Sequence, residues 1–163
     1  MSDSLEPKSE SIETPRRIGG AGAIFYIQDE DAFMFFLRDK AEDKPTIPYP
    51  GMIDIIGGHM NNGETAYQTA LREFGEELFD ATTDEPFQPE GLSEQTFRTY
   101  IDPRGVEQNI FGFVFKTRPN LVIKEGQGLV FVPRDQLAET EFAYNYQDVI
   151  LEYAATVSPQ PEK

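Results

Sequence analysis

Gly57–Asp80 reads GGHMNNGETAYQTALREFGEELFD, and its second half carries the period of an amphipathic helix. Ala66, Ala70, Phe74 and Leu78 recur every four residues along one face. Thr65 followed by Gln68 is a capping-box start signal, so the helix is predicted to begin at Ala66. The second face is acidic. Glu73, Glu76 and Glu77 stand at i, i+3 and i+4, which projects their carboxylates to one side, where they repel one another if left unpaired. A hard cation relieves such crowding, because Mg²⁺ takes carboxylate oxygens together with substrate phosphates. For three glutamates alone, an exposed and solvated acidic face is the simpler alternative. Arg72 adjoins the cluster and can neutralise part of it.

Upstream of this helix, AGAIFYIQ and AFMFFLR are aromatic and β-branched runs separated by Asp29-Glu30-Asp31, the pattern of a β-hairpin. Lys40 to Gly51 carries three prolines and is predicted to be a loop. MIDII follows as a short strand that runs into Gly57-Gly58. Downstream, QTFRTYID, QNIFGFVFKT and GLVFVP read as strands and YNYQDVILEYAATV as a closing helix. Strands interrupted by two helices give a mixed α/β or α+β domain. Residues 1–16 are rich in Ser, Glu, Pro and Lys with little to bury, so a flexible tail is expected there. A domain over 17–156 and a second flexible tail over 157–163 complete the division.

The whole frame from Gly57 to Asp80 carries more than its helix. Gly58, Glu64, Arg72, Glu73, Phe74, Glu76 and Glu77 fall, with both long spacers correct, on G-x5-E-x7-R-E-U-x-E-E-x-G-U, where U is a bulky apolar residue. In this the segment resembles the Nudix box of the MutT-like hydrolases. It departs at the end, where Phe79 and Asp80 replace the glycine and apolar residue, and a different turn through Asp80-Ala81-Thr82 is expected. The resemblance implies a Nudix-type α/β/α sandwich with a mixed sheet. It also implies metal-dependent hydrolysis of the diphosphate linkage in a nucleotide sugar or nucleoside triphosphate, releasing a nucleoside monophosphate. The alternative is a regulatory module of the same fold that binds such a nucleotide without turning it over.

Residue by residue, the resemblance makes Glu73, Glu76 and Glu77 ligands of Mg²⁺ (or Mn²⁺), adds the Gly58 carbonyl to the metal site, and has Arg72 pair with Glu64 to orient helix and loop. KEGQG, Lys124–Gly128, resembles the downstream segment in which MutT-like enzymes carry an acidic residue, which nominates Glu125 as catalytic base, with Glu107 in reserve. Arg38 before the proline-rich loop, Tyr49 within it, and His59, the chain's one histidine, are the candidates for substrate contact. The alternative for each is ordinary surface or packing duty.

A net charge of -15 disfavours general binding to nucleic acid through a basic surface, and leaves a small phosphorylated nucleotide as the fitting partner, with cations mediating the contact. With no cysteine, thiolate metal sites and a cysteine nucleophile are excluded. No apolar run is long enough for a membrane span or a secretory signal, so a cytoplasmic setting is expected. A homodimer is left open.

Overall fold

The computed structural model describes residues 19–159; the tail expected over 1–16 and the last four residues lie outside the described residues. The hairpin forms where the sequence places it. β1 (Gly20–Ile27) and β2 (Ala32–Leu37) pair antiparallel, with Phe25 opposite Met34. Three residues of MIDII lie in two short strands, β3 (Ile53–Asp54) and β4 (Ile56–His59). The second strand runs on through Gly57-Gly58 to His59, because β4 pairs along β1 as far as Gly20.

The helix α1 (Ala66–Glu77) starts at the predicted residue, and both bonds of the Thr65–Gln68 capping box are made. It leaves directly into an extended strand, β5 (Leu78–Asp80). The left-handed turn that a glycine would make is absent, since Leu78 is already extended at φ -104°. Asp80 accepts from the Thr82 and Thr83 amides at 2.8 Å each, so the chain turns just after the box.

The remaining strands are β6 (Arg98–Ile101), β7 (Glu107–Phe115), β8 (Leu121–Ile123) and β9 (Gly128–Pro133). A 3-10 helix (Arg134–Glu139) leads to α2 (Tyr146–Ala154). The main sheet has the order β9-β2-β1-β7-β6 with β3 on β2 and β4 on β1; it is mixed, because β1 and β7 run parallel. β8 has too few residues for a periodic signal, and it pairs with β5 in a small second sheet.

Both faces of the central strands are covered, which explains why β1 and β2 read as continuous apolar runs. Ala23, Phe25, Met34 and Phe36 pack with Ala70 and Phe74 of α1. Ile24, Tyr26, Phe33 and Phe35 pack with Val149, Ile150 and Tyr153 of α2. The result is the expected α/β/α sandwich. Val157 packs on the second cluster and its carbonyl accepts from Arg134 at 2.6 Å, so the fold extends into the segment that composition assigns to the C-terminal tail. No helix among the described residues is long and apolar enough to cross a membrane.

Candidate active site

The loop from His59 to Glu64 is bound to α1 chiefly by the Arg72 guanidinium. Arg72 donates through Nε and Nη2 to the two oxygens of Glu64, at 2.7 and 3.1 Å. It also donates to the His59 carbonyl at 2.8 Å and to Glu73 at 2.9 Å, and reaches Glu76 more loosely at 3.3 Å. Glu64 accepts in addition from the Asn61 amide and the Thr69 hydroxyl. Its carboxyl is held down at about 2, first by Arg72 and then by the Asn61 amide. Such planar, two-pronged recognition is why a lysine could not stand in for Arg72.

Gly58 is where β4 meets this helix. A Cβ there would lie 2.3 Å from the carboxyl carbon of Glu73, so only glycine admits that carboxylate against the strand. Gly58→Ala is accordingly expected to displace the Glu73 carboxylate and lower turnover with little change in stability, because what must move is the far end of a flexible side chain and not backbone. Thermal melting alongside activity checks this. Normal turnover, or a large drop in melting temperature, would contradict it.

Glu125 comes from the turn between β8 and β9. The Lys124 amide donates to the Glu77 carbonyl and the Gln127 amide to the Leu37 carbonyl, each at 2.7 Å. Between them Gly126 is left-handed at φ +66°, and a Cβ on it would meet the Leu37 oxygen at 2.3 Å. The turn is thus tied at once to the end of α1 and the end of β2.

A cavity of about 470 Å³ lies between these elements, and its wall includes Gly58, His59, Arg72, Glu73, Glu77, Glu125 and Arg38. Six of these seven come from the candidates for ligand, base and substrate contact, and Arg72 is the helix clamp. Three candidates fall elsewhere. Glu76 is not part of the wall: its side chain is 57% exposed, although Arg72 Nη1 reaches it at 3.3 Å as it reaches Glu73 at 2.9 Å, on the same side of the helix. Tyr49 is exposed and its ring packs on Tyr144 at 4.5 Å, beside the cavity. Glu107 is exposed at the start of β7, away from the wall. Among the described residues no group of three acidic or imidazole side chains stands in ready ligand geometry.

The wall nonetheless crowds carboxylates together, Glu73, Glu77 and Glu125 among them. Among the described residues no N–H or O–H donor meets the buried Oε1 of Glu77, whose near neighbour is another carboxylate, Glu73. Burial, then the adjacent Glu73 carboxyl and the charges of Glu125 and Glu76, push the Glu77 carboxyl well above the usual range. A buried oxygen without a partner is costly unless something positive meets it.

Sequence reading missed a second group on the same wall: Asp54, Arg104, Gln108, Tyr144 and Tyr146. Asp54 bonds Arg38 at 2.7 Å; its burial raises the carboxyl to about 6, even though Arg38 pulls the other way. The segment before α2 reaches this place because the Ala143 amide donates to the Ile53 carbonyl at 2.8 Å. No local spacing signals a contact between residues so far apart in the chain.

This box, on this sandwich, defines a class. The NUDIX domain model matches residues 17–153, and the chain belongs to that family. With every charged position of the box retained, it is an enzyme of the Nudix pyrophosphohydrolase class, acting on nucleoside diphosphate derivatives in general. A comparison with curated proteins gave no match. Among solved structures, the fold is similar to the NUDIX domain of Shewanella oneidensis NrtR in complex with ADP ribose, with a TM-score of 0.68 and 13% identity over 90% of this chain and 92% of that one. It is similar also to a MutT structure from a study of the Aliivibrio salmonicida and Vibrio cholerae enzymes, with a TM-score of 0.61 and 19% identity over 87% and 100% of the two chains. A bifunctional NMN adenylyltransferase/ADP ribose pyrophosphatase from Francisella tularensis gives 0.63 and 17%, over 88% of this chain but 43% of that one. At such identities these likenesses concern the fold.

Proposed function

We propose that the protein uses Mg²⁺ or Mn²⁺ to hydrolyse the diphosphate linkage of a nucleotide sugar, ADP-ribose or a nucleoside triphosphate, and releases a nucleoside monophosphate. The observation that carries this reading is the buried oxygen of Glu77, which no donor among the described residues meets, on a cavity wall shared with Glu73 and Glu125. An all-oxygen set of crowded carboxylates fits a hard divalent cation. Glu73, Glu77 and the Gly58 carbonyl are the proposed ligands, with Glu76 joining by rotation of its exposed side chain. When bound, the cation neutralises charge on the diphosphate and lowers the pKa of a bound water.

The chain's own groups supply the rest. Arg72 fixes Glu73 against Gly58 and holds the His59 loop in place. Glu125 is proposed as the base that accepts the proton of the attacking water. Arg38 and His59 contact the substrate from the wall, and Tyr49 does so from its edge.

Activity is expected to vanish in a chelator and return with added Mg²⁺, while the melting transition remains cooperative, since a domain with two apolar clusters does not need the ion to fold. Full turnover by metal-free protein would overturn the metal assignment. A panel of nucleotide sugars, ADP-ribose and nucleoside triphosphates, with product identification, fixes the substrate. Binding without turnover at saturating metal would instead make the protein a nucleotide-binding module.

A further inference from the structure

We infer that Arg104 and Tyr144 form the nucleobase subsite of this cavity and set its base preference; the inference rests on the nucleotide reading above. Tyr144 is the hub of the second wall group. The Arg104 guanidinium carbon lies 4.6 Å from the Tyr144 ring centre and that of Arg38 lies 5.5 Å away, while the Tyr49 ring packs at 4.5 Å. Tyr144 and Tyr49 both hold left-handed backbones, at φ 57° and 52°, a conformation that bulky side chains rarely adopt. Two tyrosines in that conformation meet ring to ring beside the cavity, where strained residues gather at ligand-binding sites.

Charge decides what such a place can take. Two arginines suggest a second phosphate site, yet each is already neutralised: Arg38 by Asp54 at 2.7 Å, and Arg104 by Asp102, which receives its Nε at 3.0 Å. Both carboxylates are buried. The region is therefore close to neutral and rich in flat polarisable surfaces, which suits an uncharged planar heterocycle and not an anion. Arg104 retains 44% exposure of its side chain, so its guanidinium can lie between the Tyr144 ring and a base. Guanidinium planes and aromatic rings are the surfaces on which unpaired bases stack. Arg104 itself is aimed by its hairpin turn, where Asp102 accepts from the Arg104 and Val106 amides at 2.9 and 3.0 Å.

The test compares wild type with Arg104→Lys, which keeps the charge facing Asp102 but loses the plane, and Tyr144→Asn, which tolerates the left-handed backbone but loses the ring. Calorimetry measures binding of AMP, GMP, CMP and UMP against ribose 5-phosphate, which lacks a base. Wild type is expected to bind at least one nucleotide tenfold or more tightly than ribose 5-phosphate, and both variants to bring that ratio toward one. In turnover, the ratio of kcat/KM for the preferred diphosphate over 5-phosphoribosyl diphosphate should fall at least tenfold. Equal binding of all five probes by wild type, or equal losses on base-bearing and base-free compounds in the variants, would overturn the inference. Should wild type bind nucleotides in a base-dependent way that the variants lose, yet hydrolyse no diphosphate, the hydrolase reading fails and the subsite stands.

Discussion

Glu77→Gln is expected to lower turnover by about two to four orders of magnitude, as judged from the loss of metal-assisted activation, and at the same time to make the metal-free protein more stable. The first effect follows from replacing a charged oxygen donor by a neutral amide in a wall where Glu73 and Glu125 are its acidic partners. The second follows from burial. Because the folded protein raises the Glu77 carboxyl above its ordinary 4.5, the stability that this group leaves intact is fully present below about pH 4.5. It is lost as pH rises toward the folded value, at about 1.4 kcal/mol per pH unit while the folded chain keeps a proton that the unfolded chain has released. The glutamine variant has no such slope. Denaturant unfolding in chelator at pH 6 and pH 8 measures it, and the variant should gain more at the higher pH. Higher metal concentration should restore part of its turnover. Normal turnover together with unchanged stability would refute both arguments.

Glu125→Gln is expected to reduce turnover by about 10² to 10⁴, the range for loss of a general base, while leaving metal affinity largely intact. Gln is close in shape to Glu, and the two backbone bonds that hold the turn, from Lys124 and Gln127, do not involve the 125 side chain. Any loss of turnover can then be assigned to the carboxylate and not to a displaced loop. Metal titration monitored by calorimetry, paired with single-turnover rates, separates this variant from Glu77→Gln. Near-normal rates in Glu125→Gln would move the base to a box glutamate or to Glu107, of which Glu107 has the weaker position because it is exposed away from the cavity.

How far the sequence is legible depends on how local the determinant is. Helix α1 is written in consecutive residues, from the Thr65–Gln68 box to the spacing of Ala66, Ala70 and Phe74, and the structure reproduces it to the residue at its start. KEGQG could be picked out by its resemblance to the downstream segment of MutT-like enzymes, and the turn it makes is fixed locally, through Gly126. The second wall group could not be found in this way. Asp54, Arg104 and Tyr144 carry no mutual spacing, and they meet only because β3 receives the Ala143 amide and the β6–β7 hairpin folds toward the same cavity. Glu76 is an intermediate case. Helical periodicity places it beside Glu73, and Arg72 Nη1 reaches both carboxylates, but periodicity does not tell that Glu73 is buried while Glu76 stays exposed. Tyr49 was legible as an aromatic in a proline-rich loop, whereas its ring partner was not.

The turn that carries Glu125 is fastened at both ends, to the last turn of α1 through Lys124 and to the sheet through Gln127, whose side chain donates a further bond to the Arg38 carbonyl at 2.8 Å. A base on a free loop would have to surrender its conformational entropy each time a substrate arrived, slowing every catalytic cycle. Here the ordering of the turn is completed once, when the chain folds, so for Glu125 in its proposed role as base the barrier to reaction contains little search for loop geometry.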